Sequence, residues 1–255
     1  MKKQLLLISY FISFLILLSC EEESEIHSYN DIYIKKYIKE SENLSEIHIY
    51  EYDVSELIIK VSYDNNAFST FDYDSLGRII RKSNYNAEEK LVSYEIYEHD
   101  SNYISRINYS INSRNEWIMS GNKYVFTYNT EDFCTKLSHY QKDDSGIWIE
   151  YDSYYTFNWT NGNLTDVFYY YNNVLWYSET YEYDNKSNPG ILFTYIISPW
   201  SVTINNPIKS TKVLYDGKIE TTKYSYMYNA YGYPTEKIIT LDSVSYYEKY
   251  EYEIK

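Results

Sequence analysis

Phe71-Asp72-Tyr73-Asp74-Ser75-Leu76-Gly77-Arg78 decides how the chain folds. In an extended backbone, residues two apart share a face, so Phe71 and Tyr73 pack together while Asp72 meets water. Asp74 can accept from the backbone two residues on and so begin a turn, and Gly77 supplies a positive φ. Arg78 to Tyr85 then alternates again as a returning strand. The stretch is a β-hairpin.

The same aromatic-x-aromatic-acid/amide signature recurs eight times. Its copies are Tyr50/Tyr52, Phe71/Tyr73, Tyr97/His99, Phe126/Tyr128, Tyr155/Phe157, Tyr181/Tyr183, Tyr226/Tyr228 and Tyr250/Tyr252. The closing positions 53, 74, 100, 129, 158, 184, 229 and 253 are spaced 21 to 29 residues apart, apart from one gap of 45. Second turns, as at 86–90, 143–146 and 172–173, close each unit. The fold class is therefore all-β: a repetitive antiparallel meander of about sixteen strands. At ~4.8 Å per strand a flat sheet would be ~77 Å wide. Open twisted sheets rarely exceed ~10 strands, so this one curls into a barrel-like or half-barrel sheet.

Composition sharpens this picture. The chain has 36 Tyr against 9 Phe, and A/T-rich codon usage would have enriched both. A Tyr ladder on the concave face suits an imperfectly dry interior, because the ring buries area while the hydroxyl finds a partner. The net charge of −14 argues against nucleic acid as a partner. A membrane-spanning barrel needs an outward apolar band. In 219–228 the face opposite the tyrosines carries Thr221, Lys223 and Ser225, which argues against one.

Lys2 and Lys3 precede an apolar run from Leu5 to Leu18. As a helix it would reach ~21 Å, short of the ~30 Å hydrocarbon core, as a signal peptide does. Leu17-Leu18-Ser19-Cys20 resembles the lipobox of bacterial lipoproteins, which implies cleavage before Cys20 and lipidation of its thiol. The run Glu21-Glu22-Glu23 resembles the export signal of surface lipoproteins in the Bacteroidota. The expected organisation is a signal peptide over 1–19, an acidic lipid-anchored tether over 20–30, and one repetitive β domain over 31–255. The implied location is the outer membrane, with the protein anchored through Cys20 and facing the cell surface.

Tyr73-Asp74-Ser75-Leu76-Gly77-Arg78 resembles the YD repeats of Rhs-type shell proteins. Tyr183 to Pro189, Asn205 to Thr211 and Tyr226 to Glu236 resemble three landmarks of YD-repeat-like lipoprotein domains of the Bacteroidota. That resemblance implies a porin-like antiparallel sheet and a lipoprotein location, and it brings no activity and no catalytic residues.

All four Pro, at 189, 199, 207 and 234, lie in the last quarter of the chain, and three fall within the long gap. Residues 185–207 therefore read as an excursion from the sheet, serving as a plug, an edge cover or a ligand loop with Trp200 as its anchor. The four His are scattered and the Cys are unpaired, so no metal site is expected. Asp72 to Gly77 lacks the closing ligands of a calcium loop. No nucleophile elbow, phosphate loop or dinucleotide fingerprint occurs, so no catalytic residue and no cofactor is expected. Trp117, Trp148 and Trp176 each start a strand, which suits cross-strand packing or stacking on sugar rings. Trp148, Trp176 and Trp200 are the candidate ligand contacts. The leading function is a non-catalytic binding module for a glycan or peptide. The alternative is an envelope protein–protein interaction or structural component, with a hydrolase the least favoured.

Overall fold

The computed structural model describes residues 32–41, 44–192, 198–200, 202–242 and 244–254. The proposed signal peptide, Cys20 and the acidic run lie outside the described residues, as does 193–197 of the excursion. Residues Tyr33–Ile254 form one compact unit.

Sixteen antiparallel strands run in sequence order around a closed barrel, with the first paired to the last. They are β1 (Ile32–Ser41), β2 (Leu44–Tyr52), β3 (Ile58–Tyr63), β4 (Phe68–Tyr73), β5 (Ile79–Tyr85), β6 (Leu91–His99), β7 (Tyr103–Ile111) and β8 (Trp117–Tyr128). The circuit continues through β9 (Cys134–Lys142), β10 (Trp148–Thr160), β11 (Asn163–Tyr171) and β12 (Val174–Ser187). It ends with β13 (Asn205–Leu214), β14 (Ile219–Tyr228), β15 (Pro234–Leu241) and β16 (Val244–Ile254). Closure removes the two free sheet edges that an open meander of this size would expose.

In five copies the signature's first ring is buried inside the barrel, at Tyr50, Phe71, Tyr97, Phe126 and Tyr250, and in one copy the second, Phe157. After the second aromatic the chain turns through the closing carboxylate or amide. Asp53 Oδ1 accepts from the backbone N–H of Ser55 and Leu57, Asp74 from Leu76 and Arg78, and Asn129 from Glu131 and Phe133. Asn229 does the same for Tyr231 and Tyr233. The left-handed residue of these turns is Gly77 or Gly232 in two of them, but Glu56 and Asp132 adopt it at φ 67° and 63° in the others. The doubly bonded Asx side chain holds the turn without glycine.

Each of these turns is preceded by a register shift in the ladder, between Glu51 and Tyr52, Asp72 and Tyr73, Thr127 and Tyr128, and Met227 and Tyr228. The polar tip of an aromatic then bonds a backbone carbonyl on the preceding strand. Tyr52 donates to Ile34 O, Tyr73 to Ile58 O, Trp159 to Cys134 O and Tyr183 to Leu164 O. Tyr226 and Tyr252 donate to Pro207 O and Pro234 O, and His99 Nε2 meets Ile79 O, with all seven distances between 2.6 and 2.9 Å. This seam of side-chain bonds circles one end of the barrel and explains the use of Tyr where Phe would supply the same ring. A buried carbonyl left unpaired costs free energy that the hydroxyl removes.

The tyrosines are not confined to the interior. On the outer face Phe68 stacks on Tyr85, Tyr94 on Tyr109 and Tyr154 on Tyr170, with centroids 4.6–4.9 Å apart. Lys60, Arg81 and Lys136 each lie over one of these rings. Ion pairs interrupt the same face at Lys36–Glu251, Lys60–Glu51, Lys136–Glu150, Lys209–Glu182 and Lys249–Glu40. On the outer wall these charged pairs are interspersed with exposed apolar residues such as Ile49, Ile118, Ile149 and Ile208. Among the described residues no helix is long and apolar enough to cross a membrane.

The sheet is left between Ser187 and Asn205, which pair with each other, so the departure is narrower than 185–207. Pro207 sits within β13, opposite Tyr183. The excursion opens with a short 3-10 turn, Pro189–Leu192, and Leu192 packs against the buried cluster around Tyr50 and Phe71.

Candidate functional site: an aromatic rim at the open mouth

The meander gives the barrel two unlike mouths. At the seam end lie the signature turns, the excursion and the start of β1. At the other end lie the turns joining β9 to β10, β11 to β12 and β13 to β14.

The far mouth carries a connected arc of rings. His139 stacks on Tyr124 at 5.2 Å and touches Tyr151 at 5.4 Å. Tyr151 approaches Tyr171 at 6.4 Å, Tyr171 meets Trp176 edge-on at 5.9 Å, and Trp176 meets Tyr215 at 4.8 Å. The arc crosses β8 to β12 and ends in the turn before β14. Two backbone features assemble it. A register shift between Glu150 and Tyr154 swings Tyr151 towards the rim, and another between Tyr169 and Tyr170 does the same for Trp176. The Tyr215 amide then donates to Trp176 O at 2.8 Å and fixes the last ring beside the tryptophan.

Tyr151, Trp176 and Tyr215 are open to solvent, while Tyr124, His139 and Tyr171 are half-buried. Trp176 is 40% exposed and Tyr215 is 68% exposed. Polar groups lie alongside them: Asn122 Oδ1 meets His139 Nε2 at 2.9 Å and accepts from Gln141 Nε2 at 3.4 Å. Burial lowers the His139 pKa, so the imidazole is neutral at pH 7. The hydrogen bond with Tyr171 raises the Tyr151 pKa. The arc thus presents ring faces, phenol hydroxyls and amides with no net charge among them. That combination stacks on apolar ring faces and bonds hydroxyl groups.

The three tryptophans expected as ligand contacts are not brought together. Trp176 belongs to the arc. Trp148 lies at the same end but beside Lys142, whose ammonium sits 5.1 Å from its ring centroid. Trp200 is at the opposite mouth, edge-on to the inward rings of Tyr155 and Phe157 at 5.5 and 5.1 Å. Trp117 packs on Tyr94 of the outer stack. Tyr151, Tyr171 and Tyr215 were not expected, because the two bulges that aim Tyr151 and Trp176 leave no trace in residue spacing. Among the described residues no group of His, Cys, Asp and Glu could hold a metal ion.

The comparisons with known proteins concern architecture. The chain is similar to a porin-like protein from Bacteroides vulgatus ATCC 8482, at 9% identity and TM-score 0.46, over 87% of this chain and 98% of that one. It is similar to a porin-like protein from Bacteroides uniformis ATCC 8492, at 15% identity and TM-score 0.43, over 86% and 96%. A Photorhabdus luminescens Tc holotoxin pore is similar over 79% of this chain but 12% of its own, at 16% identity and TM-score 0.34. No family model matches the chain, and no curated protein does. These likenesses bring no ligand and no activity to it.

Proposed function

We propose that the protein is a non-catalytic binding module, anchored to the outer membrane through lipidated Cys20, whose open mouth captures a glycan at the cell surface. The observation that carries this reading is the arc of Tyr151, Tyr171, Trp176 and Tyr215, in which Tyr151, Trp176 and Tyr215 are exposed. β1 starts at the excursion end, opposite the arc. The charged outer wall supports a tethered barrel over a spanning one. A partner added along a sheet edge is disfavoured, because the closed sheet offers no edge.

The test uses the soluble 21–255 domain against a panel of polysaccharides and mucin glycans. Saturable binding is expected, weakened about tenfold or more by Trp176→Ala or Tyr215→Ala, the scale of one lost stacking anchor. Absence of binding, or binding that both variants retain, contradicts the reading. Lipidation is checked separately: fatty-acid labelling in cells should disappear in Cys20→Ser.

A further inference from the structure

The seam end holds a cavity of about 290 Å³, between the excursion and the inner wall. Its lining includes Tyr37, Tyr50 and Tyr250 from β1, β2 and β16, together with Trp200 from the excursion. Two charged side chains, Lys237 and Glu248, also line it. Glu248 is 9% exposed, and one of its oxygens, Oε2, accepts from Tyr250 OH at 2.6 Å and pairs with Lys237 Nζ at 3.1 Å. The contacts that Glu248 makes with Tyr250 and Lys237 both run through Oε2. Lys237 is held by this ion pair and lies 5.5 Å from the Tyr224 ring centroid, and its ammonium carries three N–H donors.

A buried ion pair is costly to desolvate, and packed apolar residues would often be at least as stable in its place. Here the pair borders open space, with an acceptor and donors side by side. Its charges cancel, so nothing in the cavity calls for a net-charged ligand. A zwitterion would have to shed the hydration of two full charges, whereas a hydroxyl sheds less. A hydroxyl can also donate to Glu248 Oε1 and accept from Lys237 at once. The aromatic walls suit the apolar face of a sugar ring. The volume lies at the lower end of ligand-pocket sizes, fitting one or two sugar residues and not a chain.

We infer that the cavity between the excursion and the inner wall is a second binding site, for a neutral mono- or disaccharide, held by Glu248 and Lys237 against the rings of Tyr250 and Trp200. The site is separate from the rim arc and does not depend on it.

The experiment is calorimetric titration of the soluble 21–255 domain with neutral mono- and disaccharides and with free amino acids. A saccharide should bind with one-to-one stoichiometry. Glu248→Gln should weaken it about tenfold or more, the scale of a lost charged hydrogen bond, while Trp176→Ala should leave it unchanged. Glu248→Gln could disturb packing, so the wild-type indole resonances provide a second measurement. Saturation should move the Trp200 indole signal and leave those of Trp117, Trp148 and Trp176 in place. Binding of amino acids in preference to saccharides, binding indifferent to Glu248→Gln, movement of the Trp176 signal instead of Trp200, or no binding at millimolar saccharide each overturn the inference. Loss of polysaccharide binding in Trp176→Ala with this site intact would separate the two sites.

Discussion

The phenol hydroxyl is the unit from which the barrel's seam is made. Tyr73 OH meets Ile58 O at 2.7 Å, and Ile58 is wholly buried, so no water replaces the bond if it is lost. Tyr73→Phe should therefore destabilise the fold by about 1–3 kcal/mol. For a chain of this size that lowers the melting temperature by about 2–4 °C for each kcal/mol. Tyr215→Phe, at an exposed ring, should stay within about 0.5 kcal/mol of wild type. Denaturation of the two variants side by side measures the contrast. Two imidazoles set a pH dependence. Burial lowers the pKa of His48 and of His139 below the free value of 6.5. The unfolded chain then binds more protons than the folded one as pH falls below about 6.5. Their contribution is present above that pH and is lost on acidification. Melting temperature should fall between pH 7 and pH 5, and fall less steeply in a His48→Gln, His139→Gln double variant. Cys134, buried beside the seam with its pKa pushed up to about 12, should resist thiol reagents until the barrel opens.

Hairpins are the elements, and most of their logic is legible in residue order. Alternation placed both rings of each signature on one face, and the closing Asp or Asn located the turns, because both effects are local. Two copies read differently in three dimensions: at Tyr226/Tyr228 the first ring donates to the preceding strand, and the other departs further. The pair expected at Tyr155 and Phe157 is displaced by two: Phe157 is the buried ring, and Trp159 fills the donor role with its indole N–H. The following turn is the two-residue Asn161-Gly162, with φ of 49° and 73°, as a tight hairpin requires. Gly162 also lies against the excursion, where an added Cβ would sit 2.1 Å from Ile204 Cδ1. Gly162→Ala should therefore loosen the excursion, seen as faster amide exchange at 202–206, and lower stability. Gly121→Ala, with open space around it and no positive φ, should do neither. The rim arc was not legible in the same way. It depends on bulges at Glu150/Tyr154 and Tyr169/Tyr170, which are settled by cross-strand packing and not by the repeat.

At the scale of the molecule, two unlike mouths follow from closing an antiparallel meander whose long connection falls at one end. The expectation of about sixteen strands came from counting signatures, and the count decided that the sheet must curl. Whether it closed was beyond residue order, because the joining strands are the farthest apart in the chain. Closure is carried by β1 against β16, where Lys36 pairs with Glu251, Lys249 with Glu40, and the Tyr37 and Tyr250 rings lie 5.4 Å apart. The exposed ion pairs contribute little, so the ladder and the inner rings hold the join. Both proposed sites need that join, since it forms one wall of the cavity at the excursion end and completes the tube beneath the rim. Hydrogen exchange across β1 and β16 of the soluble domain tests it most directly. In a closed barrel the amides of 36–40 and 245–251 should be protected to the same degree as those of β7 and β8 in mid-sheet. Rapid exchange on every second residue of both strands would mean two free edges, and an open half-barrel in place of the closed one.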